Sequence, residues 1–332
     1  MNDTSDGRRL GAMLDGHMTT QLIASAVRFG IPDLLGEDGT EEQLSTATGI
    51  SPAQLRRFLY ALQRIGLVEA VGEGKYRNTS MARHLRKETG GLYGHALMAG
   101  KVYYEAWANL DFSLLTGQSA FERQHGGSLG THLADDAEAA AAFTRTMRWN
   151  TERFLSEIIE LYPFPNSGVI ADLGAGDGTL VADLLERFPD LWAIVFEQPS
   201  VIENTRRSLE EYGVGERCTF IPGSFLEKIP EGGDLYLLKS VIHNWDDTSA
   251  LRILRNCRDA MAARARLLLI EHVANEADPV GSAMRDMTML VLFGSPDRTV
   301  EGYSRLLERS GFTVSRRWSG FADLRLLEAR PS

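Results

Sequence analysis

The spacing of apolar residues changes at Pro163-Phe-Pro165-Asn-Ser-Gly168. Before this break they recur at helical intervals. Residues 17–35 predict an amphipathic helix closed at Gly30-Ile-Pro32, with Pro32-Asp-Leu-Leu35 as a short turn. Thr40-Glu-Glu-Gln43 has the spacing of a capping box, in which the hydroxyl and the amide each satisfy a helix-end N–H. The helix it opens stops at Gly49, and Ser51-Pro52 starts another that runs to Ile65. Residues 66–71, Gly72-Glu-Gly74 and residues 75–79 predict a hairpin. Three helices and a two-stranded wing make a winged helix. A helix-rich stretch over 92–118 carries Tyr103 and Trp107 at i,i+4, and helix 137–161 puts Phe143, Met147 and Asn150 on one face.

After the break, short apolar runs alternate with helical stretches. Strands are predicted at 169–173, 192–197, 218–221, 234–239 and 267–271, and two more near 313–318 and 324–328. Such alternation predicts an α/β, doubly wound, mostly parallel sheet. The expected organisation is a mainly helical winged-helix domain over 1–165 and the α/β domain over 166–332.

The first strand runs into Asp172-Leu-Gly174-Ala-Gly176-Asp-Gly178. A glycine turn between strand and helix lets a ligand approach the backbone with no Cβ in the way. The dinucleotide form of this fingerprint is GxGxxG, and the spacing here is one residue tighter. Asp172 would repel a pyrophosphate lying on the turn. It suits a cationic head instead, such as the ammonium of S-adenosylmethionine. Glu197 ends the next strand, about 20 residues past the glycines, where an acid holds a ribose diol.

Composition narrows the function. The chain has 332 residues, a net charge of −10 and a pI near 5.3, which opposes sequence-independent nucleic-acid binding. Arg56, Arg57 and Arg64 on the candidate recognition helix therefore read as solvated helix-face charges. Cys218 and Cys257 have no metal or disulfide spacing, and a reduced, cytoplasmic setting is expected. The first ten residues lack the apolar core of a signal peptide, and no apolar run reaches membrane-spanning length, so no membrane partner is expected. No His, Asp and Glu grouping has metal spacing.

Two polar groups lie just past strand ends, on the rim where open α/β sheets bind ligands. His243 follows the fourth strand and Glu271 closes the fifth. A histidine there can take a proton from a phenol, with a carboxylate on its other nitrogen fixing the tautomer. Its alternative role is a helix cap. Met284, Met287 and Leu290, with Val291 and Phe293 beyond, form either a core stripe or a soft wall for a flat substrate.

These motifs resemble the class I S-adenosylmethionine-dependent O-methyltransferases of the plant caffeate type and their bacterial natural-product tailoring relatives. The resemblance spans nearly the whole chain, including Tyr104-Glu-Ala-Trp107 and Thr116-Gly-Gln-Ser-Ala-Phe121-Glu. It implies a Rossmann-like catalytic domain, a winged-helix domain that forms a homodimer, and S-adenosylmethionine as cofactor. Asp172, Gly174 and Gly176 match the family's glycine motif, and Glu197 and Gln198 its ribose-binding strand tip. Gly223, Ser224 and Phe225 match the adenine-contacting turn, and Lys239 and Ser240 the segment leading to the base. His243-Asn-Trp-Asp-Asp247 matches the His-x-Trp-x-Asp stretch, which makes His243 the base and Glu271 its orienting carboxylate.

Some positions depart from the family's pattern. Ser224 stands where many members have an aspartate, and Asp297, before Arg298-Thr299, where a second catalytic glutamate is usual. The expected acceptor is a hydroxyl on a small aromatic molecule, walled by Phe143, Met147, Asn150, Asn244, Met287 and Phe293. The competing readings are transfer to nitrogen or carbon, an NAD-dependent oxidoreductase, and a non-enzymatic winged-helix regulator.

Overall fold

A computed structural model describes residues 3–274, 278–320 and 323–332. The chain divides into two compact units, one of residues 1–105 and 136–149, the other of residues 106–135 and 150–332. The helix Ala137–Leu161 contributes to both.

In the first unit, helices Gly16–Arg28, Glu41–Thr48 and Pro52–Arg64 each bury one face around Val27, Leu44, Leu55, Leu59 and Leu62. The stretch 32–35 expected as a turn belongs to a short helix, Ile31–Leu35, entered through Gly30 in the left-handed region. The capping box forms, with Thr40 N donating to Gln43 Oε1 (2.9 Å) and Gln43 N to Thr40 Oγ1 (3.2 Å). Ser51 makes no cap hydrogen bond; Pro52, which brings no N–H to satisfy, starts that helix.

The wing has a third strand beyond the two expected. β1 (Gly39–Thr40) pairs with β3 (Lys75–Asn78), which pairs with β2 (Val68–Gly72). The cause is the cap itself: Thr40 is extended (φ −98°, ψ 153°) and so can pair with Lys75. The three arginines of Pro52–Arg64 are engaged locally on its exposed face. Arg56 lies 3.5 Å from Glu41, Arg57 donates to Gln54, and Arg64 stacks on Tyr60.

The second unit is built on seven strands: β4 (Ser167–Leu173), β5 (Asp190–Glu197), β6 (Cys218–Pro222), β7 (Leu235–Lys239), β8 (Arg266–His272), β9 (Phe312–Ser319) and β10 (Leu324–Pro331). Their order is β6-β5-β4-β7-β8-β10-β9. β4 to β8 are parallel, and β10 runs antiparallel between β8 and β9. Both faces are covered, so strand residues are apolar on both sides. Ala171, Leu173, Tyr236, Leu238, Leu267 and Leu269 pack in one layer; Ile170, Leu235, Leu237, Leu268 and Ile270 pack in the other. Helices Thr179–Arg187 and Ile202–Glu211, which follow β4 and β5, pack on one face, and Asp247–Ala260 and Val300–Arg309, which follow β7 and β8, on the other. The crevice beyond the ends of β4 and β7 is the topological switch point, where open α/β sheets take ligands.

Candidate active site

The glycine turn leaves β4 at that crevice. Gly174, Gly176 and Gly178 all have positive φ (84°, 60° and 84°), which only glycine adopts without strain. Their surroundings differ. A Cβ on Gly178 would meet Leu209 at 2.8 Å, and one on Gly174 would meet Val241 and Phe225 at 3.0 and 3.1 Å. One on Gly176 would meet nothing within 4 Å. Gly174 and Gly178 serve close packing, and Gly176 opens onto free space.

Glu197 clasps this turn to the end of β5. Its Oε2 accepts from Gly176 N (3.0 Å) and its Oε1 from Gln198 N (2.8 Å). Burial raises the Glu197 pKa, and the two backbone donors oppose that rise. Thr205 Oγ1 adds a bond to Gly176 O (2.5 Å). Asp172 is 2% exposed, and burial pushes its pKa up to about 7, against the pull of Lys239. Lys239 is shifted down by its own burial, with Asp172, Asp177 and Glu271 opposing.

Past β6, Gly223 N donates to Glu197 O (3.0 Å), which sets the turn at 223–225 beside the Glu197 strand tip. A Cβ on Gly223 would strike Phe196 at 2.4 Å. Phe225 packs edge-on against Phe196, and Ser224 Oγ accepts from Leu226 N (3.3 Å). Ser240 follows β7 with φ 54°, the only non-glycine among the described residues with positive φ. Such a conformation costs about 1–3 kcal/mol and persists only where its surroundings impose it.

Three residues on lies a 3₁₀ turn, Ile242–Asn244. It carries His243, whose Nδ1 lies 3.0 Å from Glu271 Oε2. The ring is turned out of line with that oxygen, which has no aligned hydrogen bond. Catalytic contacts often tighten only when substrate binds. Glu271 is fully buried, and its Oε1 accepts from Val241 N (3.2 Å) and Ile242 N (2.8 Å). One carboxylate thus builds the turn and faces the imidazole it carries. The helix cap after the turn is Asp246, which accepts from Ser249 N, so capping is not the function of His243.

Asp297 sits in the loop after helix Pro279–Phe293. Its carboxylate is held by Arg285 Nε and Nη2 (3.1 and 2.9 Å), and its Oδ1 accepts from Arg298 N (3.1 Å). Arg285 also pairs with Asp323, which pairs with His272 (2.9 Å). Among the described residues, Asp297 makes no hydrogen bond to His243.

Of the expected acceptor walls, Asn244 donates to Ser240 O (3.3 Å). Met287 and Phe293 are half-buried and Met284 is 56% exposed, while Val291 and Leu292 face the core. The methionine stripe is therefore no core face. Phe143 and Met147 belong to the first unit and Asn150 to the second, all half-buried on Ala137–Leu161.

Residues 107–313 match the model of the O-methyltransferase domain, and residues 12–88 that of the O-methyltransferase dimerisation domain. The chain belongs to the O-methyltransferase family. It is 34% identical to the phenazine O-methyltransferase of Lysobacter antibioticus over 96% of this chain and 94% of the relative. The structure of the mitomycin 7-O-methyltransferase matches with a TM-score of 0.93, 31% identity and coverage of 99% and 98%. That of an O-methyltransferase from neocarzinostatin biosynthesis, in complex with S-adenosylmethionine and 2-hydroxy-5-methyl naphthoic acid, matches with a TM-score of 0.83, 27% identity and coverage of 95% and 96%. The enzyme is an S-adenosylmethionine-dependent methyltransferase.

Motif reading passed over several residues of this site. Thr205, Ser295 and Arg298 all bond backbone groups that shape the rim. Only Asp177 had a local signal: its Oδ1 accepts from Thr179 N (3.2 Å) and Oγ1 (2.8 Å) at the helix start. Among the described residues, no group of His, Cys, Asp and Glu could hold a metal ion, and no helix is long and apolar enough to cross a membrane.

Proposed function

We propose that this enzyme methylates a hydroxyl of a small aromatic molecule of the natural-product type, with His243 as general base. The observation that carries the reading is the His243–Glu271 pair on the rim that also holds the glycine turn. S-adenosylmethionine supplies an electrophilic sulfonium methyl when bound. The residues present fit it. Asp172, buried and acidic, suits its ammonium; Glu197 has lone pairs left for ribose hydroxyls; Gly176 leaves room for its approach. Gly174, Gln198, Gly223, Ser224, Phe225, Lys239 and Ser240 complete its surroundings in this reading.

His243 Nδ1 lies 3.0 Å from Glu271 Oε2, and once that contact aligns on substrate binding Nε2 is the nitrogen left to take the acceptor's proton. Glu271 then stabilises the imidazolium, as a buried carboxylate does in a Ser-His-Asp triad. The acceptor oxygen becomes a phenolate as the proton leaves. Charge on the phenolate and the sulfonium cancels in the transition state, so positioning and exclusion of water account for most of the remaining acceleration. Asn150, Asn244, Met287 and Phe293, all of the second unit, are the proposed acceptor walls. Asp297 enters the reading as the anchor of Arg285 rather than as a second base.

The acceptor class is supported by the aromatic substrates for which the relatives are named, a homodimer by the dimerisation-domain match, and a cytoplasmic setting by two unpaired cysteines. The test is mass spectrometry after incubation with methyl-labelled S-adenosylmethionine and a panel of phenols and naphthols. A labelled methyl ether is the expected product. A label found only on nitrogen or carbon acceptors overturns the hydroxyl reading. Calorimetric titration should show binding of S-adenosylhomocysteine and none of NAD.

A further inference from the structure

We infer that Arg298 and Ser295 are positioning residues that hold the base-bearing turn in register, acting on its backbone carbonyls rather than on the acceptor. The inference rests on the reading of His243 as base. A three-residue 3₁₀ turn has no hydrogen-bond ladder of its own to fix its direction. Its N–H side is fixed by Glu271, as described above. Its carbonyl side is fixed by two side chains from one distant loop. Arg298 Nη1 donates to Ile242 O (3.1 Å), Ser295 Oγ to His243 O (2.6 Å), and Arg298 Nη2 to Trp245 O (2.7 Å). Arg298 Nε and Nη2 also reach Asp247 Oδ1 (3.1 and 2.8 Å).

The carbonyls of Ile242 and His243, and that of Trp245 just past the turn, are thus gripped from outside it. Arg298 is 5% exposed and Ser295 1%, and the donors of both side chains are taken up by these carbonyls and Asp247. Burying a guanidinium is costly, and this one is offset by the Asp247 carboxylate and by carbonyls in and just past the turn. A planar fork with fixed donor directions can hold three acceptors in one geometry, which a lysine ammonium cannot. The strained backbone of Ser240, just upstream, needs such external restraint. Misplacement of a reacting group by about 1 Å costs on the order of 10²-fold in rate, so a looser turn should be read directly in turnover.

The experiment compares Arg298→Lys, Ser295→Ala and His243→Ala in the full-length enzyme. Methyl transfer is measured to phenols graded in acidity by ring nitro substitution, and S-adenosylhomocysteine affinity by calorimetry. Arg298→Lys should lower kcat by about 10- to 100-fold on weakly acidic phenols. Ser295→Ala should lower it by several-fold. In both, the loss should shrink as the phenol becomes ionised at the assay pH, because an ionised acceptor no longer needs a base. Affinity for S-adenosylhomocysteine should stay within about twofold, a pattern that general loosening of the fold does not produce.

An equal loss across the whole phenol series overturns the inference, and so does a loss that tracks weakened S-adenosylhomocysteine binding. If Arg298→Lys does not fold, Ser295→Ala decides by the same pattern. His243→Ala separates the two levels. If its loss is independent of acceptor acidity, the base reading itself fails. If its loss depends on acidity and those of the loop variants do not, only the positioning role fails.

Discussion

The two halves of the rim differ in how many segments hold them. The glycine turn at residues 172–178 is clasped by Glu197 and Thr205, 21 and 29 residues on from Gly176. The turn that carries His243 is held by Glu271, 29 residues on from Ile242, and also by Ser295 and Arg298, 52 and 56 residues on from the carbonyls they bind. The first half is thus closed by the strand and helix that follow it, while the second also draws on a loop from much farther along the chain. In the proposed reading the first half binds a constant ligand, whereas a base must be placed relative to an acceptor, and more segments must agree to place it.

The sharpest way to separate the halves is His243→Ala. Turnover should fall by roughly 10²- to 10⁴-fold, the usual worth of a general base, while S-adenosylhomocysteine affinity stays within about twofold. Unchanged turnover in a methyl-transfer assay sinks the assignment. Glu197→Ala strikes the other half. Losing charge-assisted bonds worth about 1.5–3 kcal/mol each should weaken S-adenosylhomocysteine binding by at least 10-fold in calorimetry, with kcat at saturation nearly unchanged.

Asp172 distinguishes the halves through pH. Its folded pKa is raised to about 7, so its contribution to stability is full below the unfolded value near 3.8 and is lost as pH rises through 7. The ligand-free enzyme should therefore lose up to a few kcal/mol between roughly pH 4 and 8, at about 1.4 kcal/mol per pKa unit. Asp172→Asn should flatten this decline in a Tm series. S-adenosylhomocysteine affinity should rise with pH through 7 in the wild type alone.

A smaller contrast lies within the glycine turn. Gly178→Ala drives a methyl into Leu209 and should cost about 2–3 kcal/mol of stability by denaturant unfolding, from strain and overpacking together. Gly176→Ala should cost only about 1 kcal/mol of stability yet weaken cofactor binding more than its neighbour does. Smallest of all, Ser240→Gly should raise stability by about 1 kcal/mol by removing strain and lower kcat a few-fold.

This difference between the halves also decided what could be read from the sequence. Asp172, the glycines and Glu197 stand at strand ends with fixed spacing, and the fold places them as expected. His243 and Glu271 were legible as strand-end residues, and their pairing followed from parallel neighbours β7 and β8 ending at the same level. Arg298 and Ser295 carried no signal, because a side chain that bonds distant carbonyls has no required spacing. Asp297 was legible only through resemblance, and its tie to Arg285 depends on a helix that the glycine and histidine motifs do not specify. The third wing strand escaped because two residues are too few to show an alternation.

The placement of β10 sets an order for synthesis. β8 and β9 do not touch; β10 lies between them and follows both along the chain. As the polypeptide leaves the ribosome, β8 presents an open edge until residue 324 and beyond have been made, and β9 waits for the same strand to pair with it. An unpaired edge invites pairing with another chain. The segment Leu324–Ala329 thus acts as a keystone that arrives after the arch, and Glu271, next to last in β8, sits beside the gap it fills.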